Sequence, residues 1–210
     1  MDYKQLIKTF TEDNYHNNVN LHIHSTFSDG KMNFDEILRQ AKDKGYEYIS
    51  VTDHNTIDGY LKTDFKSETM VITGIEFDCW YKTTFFHLLG YGFDVNTELL
   101  NPFLATNKRD TESDWVRIFA KRDVKKLIQA IHDAGGIAVL AHPACYWCLN
   151  LDAFVKQLID FGLDGIEVYY PYDRHRGIIK FHSRKTVEKI ADKYGLIKTG
   201  GTDCHSKELH

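Results

Sequence analysis

The sequence predicts an α/β fold with a mostly parallel sheet. Seven short segments with strand character alternate with helical or loop segments along the 210 residues, and this alternation is typical of parallel sheets with crossover connections. Residues 137–141 form a continuous apolar run of the kind that a buried parallel strand shows. Nearly every strand segment also ends in a residue that can bind a metal. A single domain over 1–210 accommodates all of these segments.

The elements follow from local patterns. The predicted strands lie near residues 18–24, 48–52, 70–75, 85–93, 137–141, 165–170 and 196–200. Helices are expected over about 2–12, 34–44, 115–134, 151–161 and 177–194, mainly from apolar residues at helical spacing. Asn33 or Asp35 can cap the helix over 34–44, and Gly45 and Gly195 lie where helices end. Residues 94–113 are polar and predict a surface loop near the site.

The composition narrows the class of protein. A hydrophobic content of 42% is enough for a core, and a net charge of −4 argues against a general nucleic-acid or membrane-surface binder. Four cysteines in a chain of this length do not indicate a disulfide scaffold. With no apolar signal segment or membrane span in the sequence, we expect a cytoplasmic protein with reduced thiols.

The motif His22-Ile23-His24 is the first indication of chemistry. Side chains two apart on a strand point to the same face, so both imidazoles would face one space at the end of the first strand. Neutral imidazole binds zinc, iron, nickel and copper well. For this motif alone, two hydrogen-bonded structural histidines are an equal alternative.

Further candidate ligands recur along the chain. Nine nitrogen and oxygen ligands without cysteine would suit two or three Zn²⁺, Mn²⁺ or Fe²⁺ ions, and clustered ions of this kind occur in phosphatases. The candidates are His22, His24, Asp29, His54, Glu76, His87, His142, Asp203 and His205.

These residues lie in short motifs with a fixed order. The motifs are His22-Ile-His24-Ser25 with Ser28-Asp29-Gly30, Thr52-Asp53-His54, Gly74-Ile-Glu76, His87, Ala141-His142-Pro143 and Gly200-Gly-Thr-Asp203-Cys-His205. In these motifs the chain resembles the PHP (polymerase and histidinol phosphatase) family, over residues 18–206. Residues 164–171 and the closing motif look most like the small stand-alone phosphoesterases of the family.

The resemblance implies a distorted (β/α)7 barrel of mostly parallel strands and a trinuclear metal site. One metal would take His22, His24, Glu76 and Asp203; the second Glu76, His87 and His142; the third Asp29, His54 and His205. The implied activity is hydrolysis of a small phosphomonoester, with nucleotides among the candidates, by a metal-bridged hydroxide. Asp53, beside His54, is expected to orient a ligand histidine and not to bind metal itself, and a turn residue is an equal alternative.

Cations near the site are candidates for binding the substrate phosphate. Arg174 and His175 follow the sixth predicted strand, and an arginine fork matches phosphate oxygens, so we predict a catalytic role for both. A solvated turn is the alternative. Residues 108–126 are also basic, and Arg117 and its neighbours are expected on an exposed helix face. A small phosphorylated substrate is the expected partner, with nucleotides or short oligonucleotides included, and no protein partner or membrane is indicated.

Three alternatives stay open. The first is a phosphodiesterase or exonuclease that acts on short nucleic acids. The second is a non-catalytic accessory domain, in which ligand positions would be expected to be lost. The third is C–N hydrolysis of the amidohydrolase type, which usually requires a ligand lysine that the strand ends lack. Only 54 residues separate His87 from His142, where related phosphoesterases often carry an inserted domain, so nucleotide specificity does not transfer from them.

Overall fold

The structure, a computed structural model, describes residues 2–64, 66–173 and 181–210. Its strands are β1 Val19–Ile23, β2 Tyr48–Val51, β3 Met70–Val71, β4 Gly74–Tyr81, β5 Thr84–Tyr91, β6 Ile137–Leu140, β7 Gly165–Tyr169 and β8 Ile197–Gly200. The α-helices of these ranges are α1 Tyr3–Lys8, α2 Glu12–Asn17, α3 Phe34–Asp43, α4 Asp58–Lys62, α5 Arg109–Glu112, α6 Asp114–Arg117, α7 Val124–Asp133, α8 Leu151–Ile159 and α9 Arg184–Tyr194.

The strands form two sheets, in an α/β fold as predicted. The first sheet has the order β1-β2-β3 and is parallel throughout. The second has the order β4-β5-β6-β7-β8, in which β6, β7 and β8 are parallel. Isolated parallel bridges join Ile23, at the end of β1, to Cys204 and join His54, which follows β2, to Glu76 of β4. Within the described ranges, strand pairing does not join the strands into one closed seven-stranded barrel.

The region of the third and fourth predicted strands differs from the prediction. The expected strand over 70–75 divides into β3, which pairs with β2, and β4. A Cβ at Gly74 would lie 2.0 Å from Ser50 Oγ, so the chain passes closely against β2 at this division. β4 and β5 then form an antiparallel hairpin. Glu76 and His87 therefore lie within strands and not at their ends.

The ends of two helices agree with the predicted caps, but other predicted helices differ in length. Asn33 accepts a hydrogen bond from the backbone of Glu36 and completes a capping box at the start of α3. Gly195 ends α9 in the left-handed conformation. The expected helix over 115–134 is divided into α6 and α7. A new helix begins at α7 because the side chain of Asp123 accepts a hydrogen bond from the backbone N–H of Lys126 and caps it. The expected N-terminal helix is likewise two, α1 and α2.

Apolar helix faces cover the second sheet. Leu127 and Ile131 of α7 lie in one buried cluster with Leu88 of β5 and Leu140 of β6. A smaller cluster joins Ile7 of α1 to the same sheet, and a third buries α3 against β1 and β2. None of the helices in the described ranges is long and apolar enough to cross a membrane. The covered sheets support the residues that meet where β1, β4, β5 and β6 converge.

Asp164, which precedes β7, joins three elements. Its carboxylate accepts hydrogen bonds from Lys4 of α1 at 2.5 Å and from the backbone N–H of Ala138 of β6 at 2.9 Å, and it lies 2.7 Å from Nε2 of His132 in α7. Burial works to raise the pKa of Asp164, but these partners outweigh it and lower that pKa. The side chain is only 7% exposed, so the charged form is held by contacts that the unfolded chain lacks.

We expect Asp164→Asn to lower the free energy of unfolding by roughly 1–3 kcal/mol near neutral pH. Because the folded pKa lies below the unfolded value of about 3.9, the stabilisation is present above that pH and is lost as the pH falls through the folded pKa. Urea unfolding from pH 3 to 6 would measure this as a difference that shrinks below about pH 4. Asp160→Asn, which removes an exposed pair with Lys156, is the control and should cost less than about 0.5 kcal/mol. A difference that stays constant down to pH 3 would contradict the assignment.

Candidate metal centre

The carboxylate of Glu76 is the centre of a cluster of five histidines. Three imidazoles lie near Oε2 and two near Oε1, and Glu76 is 1% exposed. The distances to Oε2 are 3.3 Å from His22, 3.2 Å from His24 and 3.4 Å from His54, and those to Oε1 are 2.9 Å from His87 and 3.1 Å from His142. One glutamate thus lies against all five rings, which come from the ends or interiors of four strands.

Local backbone geometry places these ligands. His22 and His24 lie on the same face at the end of β1, with ring centroids 5.2 Å apart. A Cβ at Gly201 would lie 2.4 Å from the Cβ of His22, so only glycine allows the loop after β8 to pass so closely. His142 and Asp203 have φ values of 22° and 49°, a region that residues other than glycine rarely occupy. Strain of this kind is typical of functional sites.

The nine predicted ligands meet in this one region. Ligand atoms within 4.8 Å of one another group His22, His24, Glu76 and Asp203, and they also group Glu76, His87 and His142. A third group joins Asp29, His54 and His205 with His24. These groups correspond to the three ligand sets that the resemblance implied, with His24 as an addition to the third. A fourth group, His54, Asp78 and His87, contains a carboxylate that the sequence analysis did not select.

The atoms of the cluster fit metal ions. Several buried ring nitrogens and one buried carboxylate oxygen of the cluster, all of which could bind a metal, have no hydrogen-bond partner. They are Nε2 of His22, both ring nitrogens of His24, Nδ1 of His54, Nδ1 of His142 and Oδ1 of Asp78. Ligands bound tetrahedrally to one zinc at about 2.0–2.1 Å lie about 3.3 Å apart, close to the 3.1–3.4 Å spacing between these imidazoles and carboxylates. Buried polar atoms without partners are costly, so the donor set is suited to cations.

Two buried carboxylates outside the predicted set contact ring nitrogens of the candidate ligands that do not face Glu76. Glu167 of β7 lies 3.0 Å from Nδ1 of His22 and accepts the backbone N–H of His142 at 2.8 Å. Asp78 lies 3.1 Å from Nε2 of His87 and 3.6 Å from Nδ1 of His54. Carboxylates in this position fix the orientation of ligand histidines and raise their basicity. Sequence could have indicated Asp78, because it lies two residues after Glu76 on the same strand face.

Asp53 is a turn residue, which was the alternative to orienting a ligand histidine. Its carboxylate accepts hydrogen bonds from the backbone N–H and the hydroxyl of Ser25, at 2.7 and 2.6 Å, and from the hydroxyl of Ser28 at 2.6 Å. These contacts fix the turn that carries Asp29 and do not orient His54. The adjacent Asn55, at φ 57°, contacts Asp78 instead, since its Oδ1 accepts the backbone N–H of Asp78 at 3.0 Å.

The electrostatics of the cluster favour cations. Burial acts to lower the pKa of His24, but Asp203 and Glu76 outweigh it and raise the pKa of His24 to about 10. Burial acts in the opposite sense on the acids, yet the histidines hold the pKa of Glu76 and of Asp203 well below the ordinary values. The carboxylates therefore stay ionised and attract positive charge into the site.

Arg117 is placed differently from the expectation of an exposed helix face. Its side chain is 5% exposed, and Nη2 lies 3.0 Å from Oδ2 of Asp29, with Nε 3.9 Å from Oδ1 of Asp78. The charge of Arg117 is compensated by Asp29 and Asp78, which lie far from it in the sequence, so local patterns did not indicate this pairing. Arg174 and His175 lie outside the described residues. Cys145 is exposed and Cys148 is buried, and the two are not joined by a disulfide.

The PHP domain profile matches residues 20–157, about two thirds of the chain. The chain belongs to the PHP family. A phosphoribosyl 1,2-cyclic phosphate 1,2-diphosphodiesterase of Eggerthella lenta is 24% identical and covers 89% of this chain and 94% of its own length. A 5′-3′ exoribonuclease of Haemophilus influenzae is 25% identical, with 88% and 89% covered. As a PHP protein, the chain is a metal-dependent hydrolase that acts on phosphate esters.

Solved structures show the same fold. An amidohydrolase from Chromobacterium violaceum superposes with a TM-score of 0.73 at 19% identity, covering 92% of this chain and 90% of its own. A proposed metal-dependent phosphoesterase from Bifidobacterium adolescentis gives a TM-score of 0.69 at 19% identity, with 91% and 88% covered. At this identity the likeness shows the fold of this PHP protein and not its reaction.

Glu167→Gln should weaken metal binding without changing any residue of the predicted ligand set. Gln cannot hold the His22 ring as a carboxylate does, and loss of such a partner typically costs 10–100-fold in metal affinity. Competition titration of Zn²⁺ or Mn²⁺ against a chromophoric chelator measures the change. Glu68→Gln, at a 77% exposed glutamate that pairs with Lys42, is the matched control. Equal affinity in both variants would show that Glu167 does not support the ligands.

Proposed function

We propose that this PHP protein hydrolyses a small phosphomonoester at a centre of two or three Zn²⁺, Mn²⁺ or Fe²⁺ ions, within one domain over 1–210. The single observation that carries the proposal is the limited solvent exposure of the cluster. His22, His24, His54 and Glu76 are at most 3% exposed, whereas the side chains of Asp29 and His87 are 19% exposed and that of His205 is 36% exposed. A terminal phosphate, attached through one oxygen, can enter from one side, whereas a phosphate within a chain needs room on two.

The metals would be held by the ligand groups described above. One ion would be held by His22, His24, Glu76 and Asp203, and a second by Glu76, His87 and His142. A third would be held by Asp29, His54 and His205. Asp78 lies beside the groups for the second and third ions. Bound ions of this kind supply an activated water and neutralise charge on the phosphoryl oxygens. Every residue of these sets is a nitrogen or oxygen donor that suits the three named metals.

The remaining residues position and charge the site. The hydroxyl of Tyr170 donates a 2.8 Å hydrogen bond to Oδ2 of Asp203 and restricts the rotation of that carboxylate. Arg117 adds a buried positive charge beside Asp29, where it would attract an incoming phosphate. Arg174 and His175 stay proposed catalytic residues that assist the charge or the leaving group. A cytoplasmic location stays a prediction that agrees with four cysteines that form no disulfide among the described residues.

The second candidate function is a phosphodiesterase or exonuclease acting on short nucleic acids. The names of the Eggerthella lenta and Haemophilus influenzae relatives favour it, and an exonuclease also needs only the end of a strand to enter. The net charge of −4 argues against long polymers. A non-catalytic accessory domain would not require all nine ligand positions to hold competent residues, as they do here.

The test uses protein loaded with Mn²⁺ and measures phosphate release from histidinol phosphate, ribose 5-phosphate, nucleoside monophosphates and nucleoside 3′,5′-bisphosphates. In parallel it measures the release of mononucleotides from a single-stranded tetranucleotide. We expect release from a monoester and its loss by more than about 100-fold in Glu76→Gln, because even outer partners of metal ligands cost 10–100-fold. His16→Ala, which removes an exposed histidine of α2, should keep full activity.

Two results would overturn the proposal. Cleavage of the tetranucleotide without hydrolysis of any monoester would support the nuclease alternative. No hydrolysis of any substrate, by protein that binds two or more metals, would support the non-catalytic accessory domain.

A further inference from the structure

Exposed aromatic side chains gather on one groove beside the metal centre. Trp115 is 85% exposed and Phe119 is 78% exposed, and both line a groove of about 580 Å³ together with Trp80. Large aromatic side chains are seldom left so open on a protein surface, and grouped ones mark binding sites. The volume lies within the range of small-molecule sites.

The groove is continuous with the metal centre through β4 and β5. Glu76, Asp78 and Trp80 alternate onto the same face of β4, and they run from the buried cluster to the half-buried rim. On β5, Phe85 lies opposite Trp80, and His87 lies opposite Asp78. The ring centroids of Trp80 and Phe85 are 5.5 Å apart, and those of Phe85 and His87 are 5.3 Å apart. An aromatic path therefore connects a candidate metal ligand to the groove.

The segment after α6 joins the same two places. The indole N–H of Trp80 donates a 2.6 Å hydrogen bond to the carbonyl of Ile118, which holds this segment against β4. Arg117, one residue earlier, contacts Asp29 in the metal centre. Trp115 and Phe119 of the groove are thus carried by the same short segment that carries Arg117 to Asp29.

The charges at the groove suit a phosphorylated ligand. Lys82, Lys121 and Arg122 line it, and none of its lining residues is acidic, although the chain as a whole is acidic. Arg122 is held in place, because it donates hydrogen bonds to the carbonyls of Phe103 and Asp78 at 2.8 and 2.7 Å. An aromatic surface with a cationic lining is the combination that binds bases and backbone of single-stranded nucleic acids.

We propose that this groove, lined by Trp80, Trp115 and Phe119, binds the nucleobase of the substrate while its phosphate lies at the metal centre. The substrate class is then a base-bearing phosphate ester, either a nucleotide or the end of a short single strand. Along β4, Trp80 lies about 6.8 Å from Asp78, which pairs with the candidate ligand His87, and about 13.6 Å from Glu76. These spans are of the order of the reach from a phosphate to the base of its own nucleotide or of the next one. The inference rests on the proposed function for the phosphate but not for the base.

A binding experiment tests the groove without catalysis. Fluorescence anisotropy of a labelled RNA tetranucleotide, titrated with protein kept metal-free by EDTA, gives the dissociation constant, and adenosine monophosphate competes as the single-base probe. Trp115→Ala and Phe119→Ala should each weaken binding roughly 5- to 100-fold, since each base stacked on an aromatic ring contributes that much. Trp147→Ala removes another exposed tryptophan, 77% accessible and outside the groove, and should leave binding within about twofold.

Three binding results would overturn the proposal. The first is unchanged binding in both groove variants, and the second is an equal loss in Trp147→Ala. The third is a change from dimer to monomer in Trp115→Ala with unchanged RNA affinity, which would assign the groove to a second copy of this chain. Circular dichroism of each variant confirms that a loss of binding is not a loss of fold.

Kinetics separate this inference from the proposed function. With Mn²⁺, Trp115→Ala should lower kcat/KM for a nucleoside monophosphate and leave ribose 5-phosphate, which lacks the base, unchanged. Hydrolysis of both substrates that is insensitive to Trp115→Ala would overturn the groove and leave the phosphoesterase. Base-dependent binding without hydrolysis of any monoester would overturn the phosphomonoesterase and leave the groove.

Discussion

The structure depends on one buried carboxylate that five imidazoles share. Glu76 is 1% exposed and lies within 3.4 Å of ring nitrogens from His22, His24, His54, His87 and His142. A carboxylate without charged partners could not be held ionised at such a depth. The rings that stabilise it come from sequence positions between 22 and 142, so the fold must bring β1, β2, β4, β5 and β6 to one point.

A second layer of acids makes that convergence rigid. Glu167 joins the His22 ring to the backbone of His142, and Asp78 contacts the outer nitrogens of His87 and His54. Each acid therefore connects ligands from two different segments. Because the segments are fixed in pairs, the positive φ values of His142 and Asp203 can be maintained by their surroundings, as strained residues require.

The segment from α6 to Arg122 gives this PHP protein its own surface at the metal centre. Arg117 points into the cluster toward Asp29, while Trp115 and Phe119 point to solvent. It lies between His87 and His142, in the stretch where related phosphoesterases often carry an inserted domain. Trp115 and Phe119 are four residues apart and Arg117 lies midway between them, so helical turns here direct the two aromatic rings to one side and the cation to the other.

The sequence by itself determined the kinds of ligands, the family and most of the alternation of strands and helices. His22-Ile-His24 and Ala141-His142-Pro143 carry their chemistry in the residue types, and Asn33 and Gly195 mark helix ends by local hydrogen bonding and backbone conformation. Only the tertiary structure decided the placement of Asp78, Glu167 and Arg117. Asp78 faces His87 because β4 and β5 pair antiparallel, and Arg117 is buried because Asp29 and Asp78 compensate its charge. These contacts join residues from 9 to 145 positions apart, and neither periodicity nor capping carries information over such separations.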